Sequence, residues 1–300
     1  MAGDGTHGLD AALAAALRAA GPPGEVIHDV DARTLRLAAP AATVVVPDRR
    51  QPDAEATAEA VGRLVAEPVP ESADPSVGPV VLVASSEVYE PSHHHPGMIV
   101  ETALNLRPGA NPVARRWLEV EEAARERAEA AGRPLAVLRA APVPRAGGDD
   151  WASDLLTRRW APTLPGHDPV MQLLALPDLA AAVLAAARHV ERHGEAGTWN
   201  VVPAEVVPLR WALRLAGTRR LPAPAFVHRL LGRPWREPAE RLAYLTYPWT
   251  ASGDAARSDL GFTARHTSAE AVTALAAGSL EPPRVGLSFD DFGLSPDYIA

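Results

Sequence analysis

Two apolar rhythms alternate along the chain. LDAALAAALRAAG, Leu9 to Gly21, spaces its leucines helically and is stopped by Gly and Pro-Pro. EVIHDVD, residues 25–31, reads as a strand. ATVVVPD (42–48) and GPVVLVASS (78–86) are near-continuous β-branched runs, the pattern of parallel strands covered on both faces. DAEATAEAVGRLVAE between them returns to the helical period. NPVARRWLEVEEAARERAEAAG (111–132) is a helix with Val113, Trp117, Val120 and Ala124 on one face, and an i,i+4 pair, Glu121 with Arg125, on the other. RPLAVLRAAPV is a further buried strand, followed by a Pro-, Trp- and Arg-rich stretch to about Met171. LPDLAAAVLAAARHVERHG is a helix ending on Gly194, and GTWNVVP a strand after it. This order predicts a doubly wound α/β parallel sheet joined by right-handed crossovers.

Beyond residue 203 the rhythm changes to short helices separated by Pro and Gly: RWALRLAG, PAFVHRLLG, PAERLAYLTY and SAEAVTALAAG. The expected organisation is a sheet domain over 1–203, with 145–175 contributing to a substrate region, a small and mainly helical region over 204–280, and a tail over 281–300 rich in Pro, Gly, acids and aromatics. No internal repeat is found.

Composition narrows the chemistry. With 300 residues, 47% of them hydrophobic, the chain can bury a sizeable core. A net charge of −8 lacks the clustered cationic excess that phosphate backbones demand, so nucleic acid is not an expected partner. No uninterrupted run of about 18 apolar residues is present, and Asp4 stands where a secretory signal would be positive. A soluble cytoplasmic protein without membrane contact is expected. The chain has no Cys, which removes disulfides, thiolate nucleophiles and zinc–thiolate sites. It also has no Lys, so all 29 basic side chains are Arg and none can form a Schiff base.

Five segments in order resemble the extended short-chain dehydrogenase/reductases, the NAD-dependent epimerase/dehydratases. VVLVASSEVYEP resembles the strand ending in Ser-Ser-x-x-Val-Tyr-Gly, and RPLAVLRAAPV the strand with a characteristic Leu-Arg. MQLLALPDLAAAVLAAA is similar to the segment whose Asp, here Asp178, opens a helix, and GTWNVVP to a Gly-x-x-Asn strand with Asn200. DAARSDLGFTARHTSAEAV is similar to the C-terminal Leu-Gly-Phe pattern. The resemblance implies a Rossmann-like fold, NAD or NADP as cofactor, and a nucleotide-sugar-type substrate. It also implies a Tyr-x-x-x-Lys pair on the helix at 111–132, whose Lys cation tunes the Tyr for proton exchange. Anchored on Glu119, that pair falls on Asn111 and Arg115, neither of which can do the work. Ser85, Ser86 and Tyr89, with a His, are the remaining acid/base candidates, Tyr89 being conceivable as a relay with His93.

At the cofactor end, GDGTHG contains Gly3, Gly5 and Gly8 in Gly-x-Gly-x-x-Gly spacing, with Asp29 or Asp31 placed for a ribose. Only two residues precede the motif, so a Gly-rich terminus is the alternative. SHHHPG is read as a solvated loop or as a pocket lining through His93, and no metal site is expected because no matching ligand cluster accompanies it. Arg158, Arg159 and His167 are substrate-region candidates for a ligand carrying negative charge, the alternative being loop packing. Asp178 is either a helix cap or part of the pocket. Arg139 should be paired, and Trp117 is either core or interface. Two functions stay open: an epimerase/dehydratase-like protein with lost or altered catalysis, or a non-catalytic pseudoenzyme that binds a ligand or partner, as a homodimer or with an active homologue.

Overall fold

VVLVAS and LAVLRA lie side by side at the centre of a sheet, and every residue of both is buried, as continuous apolar runs demand. The computed structural model describes residues 8–20, 26–29, 31, 33–38, 41–66, 78–93, 97–104, 111–224 and 239–277. Its main sheet runs in the order β1 (Val26–Asp29), β2 (Thr34–Ala38), β3 (Ala41–Val45), β4 (Val80–Ser85), β5 (Leu135–Ala140) and β8 (Gly197–Val201). From β3 to β8 neighbouring strands are parallel, whereas β1–β2 and β2–β3 are antiparallel. Short pairs lie outside it: β6 (Trp160–Thr163) with β10 (Arg219–Pro222), and β7 (Val170–Met171) with β9 (Val207–Pro208).

Helices cover both faces, and the fold is Rossmann-like α/β. On one face α2 (Ala54–Ala66) packs on α3 (Pro112–Ala130), which lies on β4 and β5. On the other, α1 (Leu9–Ala19) packs on α5 (Leu176–His193), which also touches β4 and β5. The three parallel crossovers all advance the same way along the sheet. Helices on opposite faces therefore give them opposite hands, and the β5–β8 connection, whose helix is α5, does not share the hand of the two before it. This corrects the expectation of uniformly right-handed crossovers. The connection has room for that path because it also carries α4 (Trp151–Thr157), β6 and β7.

After β8 come α6 (Leu209–Leu215), α7 (Ala239–Leu242), α8 (Asp254–Leu260) and α9 (Ser268–Ala277). One continuous apolar core extends from Leu9 of α1 to Val272 of α9. PAFVHRLLG falls, apart from its first residue, outside the described residues, as does the tail at 281–300. Among the described residues no helix is long and apolar enough to cross a membrane.

Candidate active site

In an open α/β sheet, ligands meet the carboxyl ends of the parallel strands. Here those ends are bound to one another. β4 finishes extended at Ser85, whose Oγ accepts from the Glu87 amide at 3.2 Å and caps a single 3₁₀ turn, Ser86–Val88. That turn carries the Glu87 carboxylate beneath α3. Trp117 Nε1 donates to Glu87 Oε2 at 3.2 Å, and Arg241 of α7 pairs with the other oxygen. Tyr244 Oη donates to the Glu87 carbonyl at 2.6 Å. Glu87 and Arg241 are buried.

Arg49, a few residues past β3, completes the cluster. Its guanidinium donates to the Ala84 carbonyl (3.1 Å), Ser85 Oγ (3.2 Å) and the Ala140 carbonyl (3.3 Å), so one side chain ties the ends of β4 and β5. It lies over the Trp117 ring, 5.5 Å from the centroid. Burial pulls its pKa below the ordinary arginine value, while Asp150 and Asp149 act in the opposite sense. Sequence reasoning missed Arg49, Glu87 and Arg241. Glu87 lies inside the quoted SSEVY, but Arg241 comes from a helix distant in sequence with no motif to flag it.

A second network fixes Tyr89. Its hydroxyl donates to Asn200 Oδ1 at 2.6 Å and accepts from Arg139 Nη1 at 3.2 Å. Arg139 makes two 2.8 Å bonds to Glu121. Burial raises the Tyr89 pKa, against the pull of Arg139. A phenol with both hydrogen-bonding capacities engaged in the core holds the fold and is poorly placed to exchange protons. His93 does not join it: His93 and His167 instead flank Tyr247, at ring distances of 5.8 and 6.2 Å. Two of the expected substrate-region residues are thus brought together, at an exposed edge.

The helix at 111–132 resolves differently from its sequence reading. Glu121 is buried against Arg139, while Arg125 bonds the exposed Glu122 at 2.6 Å, so the expected Glu121–Arg125 surface pair is absent. Glu119 is exposed. Val113 and Trp117, eight and four residues before Glu121, the acid that faces the sheet, are both fully buried. Asn111 is the helix N-cap: its Oδ1 accepts from the Val113 amide at 2.9 Å, and its Nδ2 donates to the Glu240 carbonyl at 2.6 Å. Arg115 points to solvent. Trp117 is core.

The N-cap of α5 is Ala175, so Asp178 does not cap it. Its carboxylate accepts the Arg265 and His266 amides at 3.1 and 3.0 Å, anchoring the turn before α9. Ser85 and Ser86 are buried. Arg158 is half-buried and Arg159 exposed, its carbonyl accepting from the Arg219 amide of β10. Asp150 caps α4 through Ser153, and desolvation raises its pKa despite the Ser153 bonds and Arg49. A carboxyl raised on folding favours the fold when protonated and opposes it as pH climbs from about 3.9, the ordinary aspartate value. Asp150→Asn, which keeps an acceptor for the Ser153 amide, is expected to gain melting temperature over the parent as pH rises from acid to neutral. A gap that is constant or shrinks with pH would refute this.

The described residues do not fit a dinucleotide. Among the described residues the strand order along the sheet does not reverse, so they form no crevice at a topological switch point. The leading amide of α1, which would meet a pyrophosphate, donates from Leu9 to the Asp149 carboxylate at 3.3 Å. Asp29 and Asp31 are exposed at the β1–β2 hairpin, and Gly8 precedes α1 without a described strand before it. Gly3 and Gly5 lie outside the described residues. Among the described residues there is no group of three or more candidate metal ligands.

No family model matches the chain. It is 32% identical over 206 residues to the uncharacterized proteins Rv0501 of Mycobacterium tuberculosis and Mb0513 of Mycobacterium bovis, a match covering 66% of this chain and 53% of each of them. The match thus spans about half the length of these relatives. Among solved structures, MoeE5 in complex with UDP-glucuronic acid and NAD is similar at a TM-score of 0.56 and 19% identity, covering 79% of this chain and 77% of that one. UDP-N-acetylglucosamine 4-epimerase from Bacillus cereus is similar at 0.52 and 13%, covering 75% and 68%. The fold is therefore the one shared by nucleotide-sugar epimerases and their relatives.

Proposed function

We propose that this chain is a non-redox member of the epimerase/dehydratase fold, one that binds a nucleotide-sugar-type ligand without dinucleotide-dependent hydride transfer. The observation that carries this reading is the contact of Trp117 with Glu87. Hydride exchange at a sugar carbon needs a group that moves a proton in step. Where α3 meets the end of β4 this chain presents Val113 and Trp117, and the neighbouring carboxylate is held by Arg241. Asp149 on the α1 amide and the sheet without a reversal support the same conclusion. The ligand class comes from MoeE5, whose complexes hold UDP-glucuronic acid or UDP-glucose. The rings of His93, Tyr247 and His167 offer an exposed stacking surface for such a base.

The test is calorimetry and thermal shift with NAD and NADP in both redox states, and separately with UDP-glucose and UDP-glucuronic acid. A ligand that binds only the folded state adds about 2.7 kcal/mol at a hundredfold excess over Kd. The expected result is no shift with any cofactor, and a shift with a UDP-sugar that Tyr247→Ala diminishes. A cofactor shift would overturn the non-redox part. Silence with both sugars would overturn the ligand part.

A further inference from the structure

A groove of about 550 Å³ lies on the α1/α5 face, away from the cluster around Glu87. Ala12 and Ala15 of α1, Leu176 of α5, and Ala274 and Leu275 of α9 give it apolar walls. Arg18, His28 and Arg145 also line it, and none of the described lining residues is acidic, in a chain of net charge −8. His28 is held by Asp10 at 2.7 Å and Arg145 by Asp149 at 2.9 Å, while Arg18 is exposed and donates to the Val26 carbonyl. An occupant suited to this groove is apolar or aromatic and carries negative charge.

The chain itself supplies such a segment. Leu275 lines the groove and α9 ends at Ala277, so residues 278–300 follow in sequence directly on a helix that walls the groove. They contain four acids against the single Arg284, and two of the chain's four phenylalanines. Both phenylalanines fall in SFDDFGL, residues 288–294, on either side of Asp290 and Asp291. We propose that SFDDFGL is the occupant of this groove within the same molecule, with Phe289 and Phe292 against the alanine and leucine walls and the aspartates toward Arg18 and His28. The tether makes a weak contact sufficient, because a short linker holds the segment at an effective concentration in the millimolar range. Apolar area and opposite charge then act together, and the strap covers the seam between α1, α5 and α9. The groove shares no described residue with the proposed ligand site, so the two readings stand or fall separately.

The absence of cysteine gives a clean test in the full chain. A benzophenone is attached at Ser295→Cys, the protein is irradiated, and the adducts are mapped by mass spectrometry. The expected result is intramolecular attachment to α1 and α9. Attachment is lost in Ala274→Trp, which fills the groove, and is reduced when Asp290→Asn and Asp291→Asn are combined. Should Ala274→Trp fail to fold by circular dichroism, Arg18→Glu at an exposed position gives the same readout through charge and should also reduce attachment. Adducts elsewhere on the surface, adducts between two chains, or adducts indifferent to the groove variants would each overturn the proposal.

Discussion

Arg139→Met is expected to destabilise the protein by about 3–5 kcal/mol, the usual cost of removing one partner from a buried ion pair. The Arg139 and Glu121 side chains are 3% and 2% exposed, and their two 2.8 Å bonds are the only ones recorded for either Glu121 oxygen among the described residues. Burial alone would draw the Arg139 pKa down, but bonding and charge from Glu121, then Tyr89, lift it above its ordinary value. Met fills similar space and offers nothing to the stranded carboxylate. Tyr89 Oη and the Glu101 carbonyl lose a donor as well. Urea unfolding measures the loss. Replacing both partners by Met should recover most of it, because an apolar pair of similar volume often costs little or even stabilises. A single variant within 1 kcal/mol of the parent, on the order of an exposed pair, would show that the pair is not desolvated as described.

Glu87→Ala should be comparably severe, at about 3–5 kcal/mol, for a related reason. It leaves Arg241 buried without its counter-charge, beneath an Arg49 that is already fully enclosed. Trp117 Nε1 and Ser85 Oγ lose their acceptor at the same time. Glu87→Gln separates these contributions, since the amide oxygen still accepts from Trp117 while the charge is gone. The expected order of stability is parent, Gln, Ala. Equal losses for Gln and Ala would assign the whole effect to charge, and a Gln variant as stable as the parent would remove Arg241 from the account.

The strands and helices that bury both faces were legible because their apolar runs are long: VVLVAS, LAVLRA and the Ala-rich helix closed by Gly194, whose φ of 68° suits glycine at a helix end. β2 was not, although TLRLA alternates as a half-covered antiparallel strand should, with Leu35 and Leu37 buried. Short elements such as β6, β7, β9 and β10 hold few residues, and their pairing partners are distant in sequence, so no local period announces them.

By itself the sequence determined which chemistry this protein lacks. No Lys and no Cys in these 300 residues means no shiftable side-chain amine and no thiolate among them, whatever the fold. It also determined the alternation of apolar strands and helices that makes an α/β sheet. Only the tertiary structure decided which acid of the helix at 111–132 faces inward. Glu119, Glu121 and Glu122 are chemically alike in the sequence, and the inward one is known only when Arg139 of a neighbouring strand is seen opposite it. The same holds for the site. Arg49, Glu87, Trp117 and Arg241 come from four segments, and a buried charge reveals its role only through the partner that compensates it.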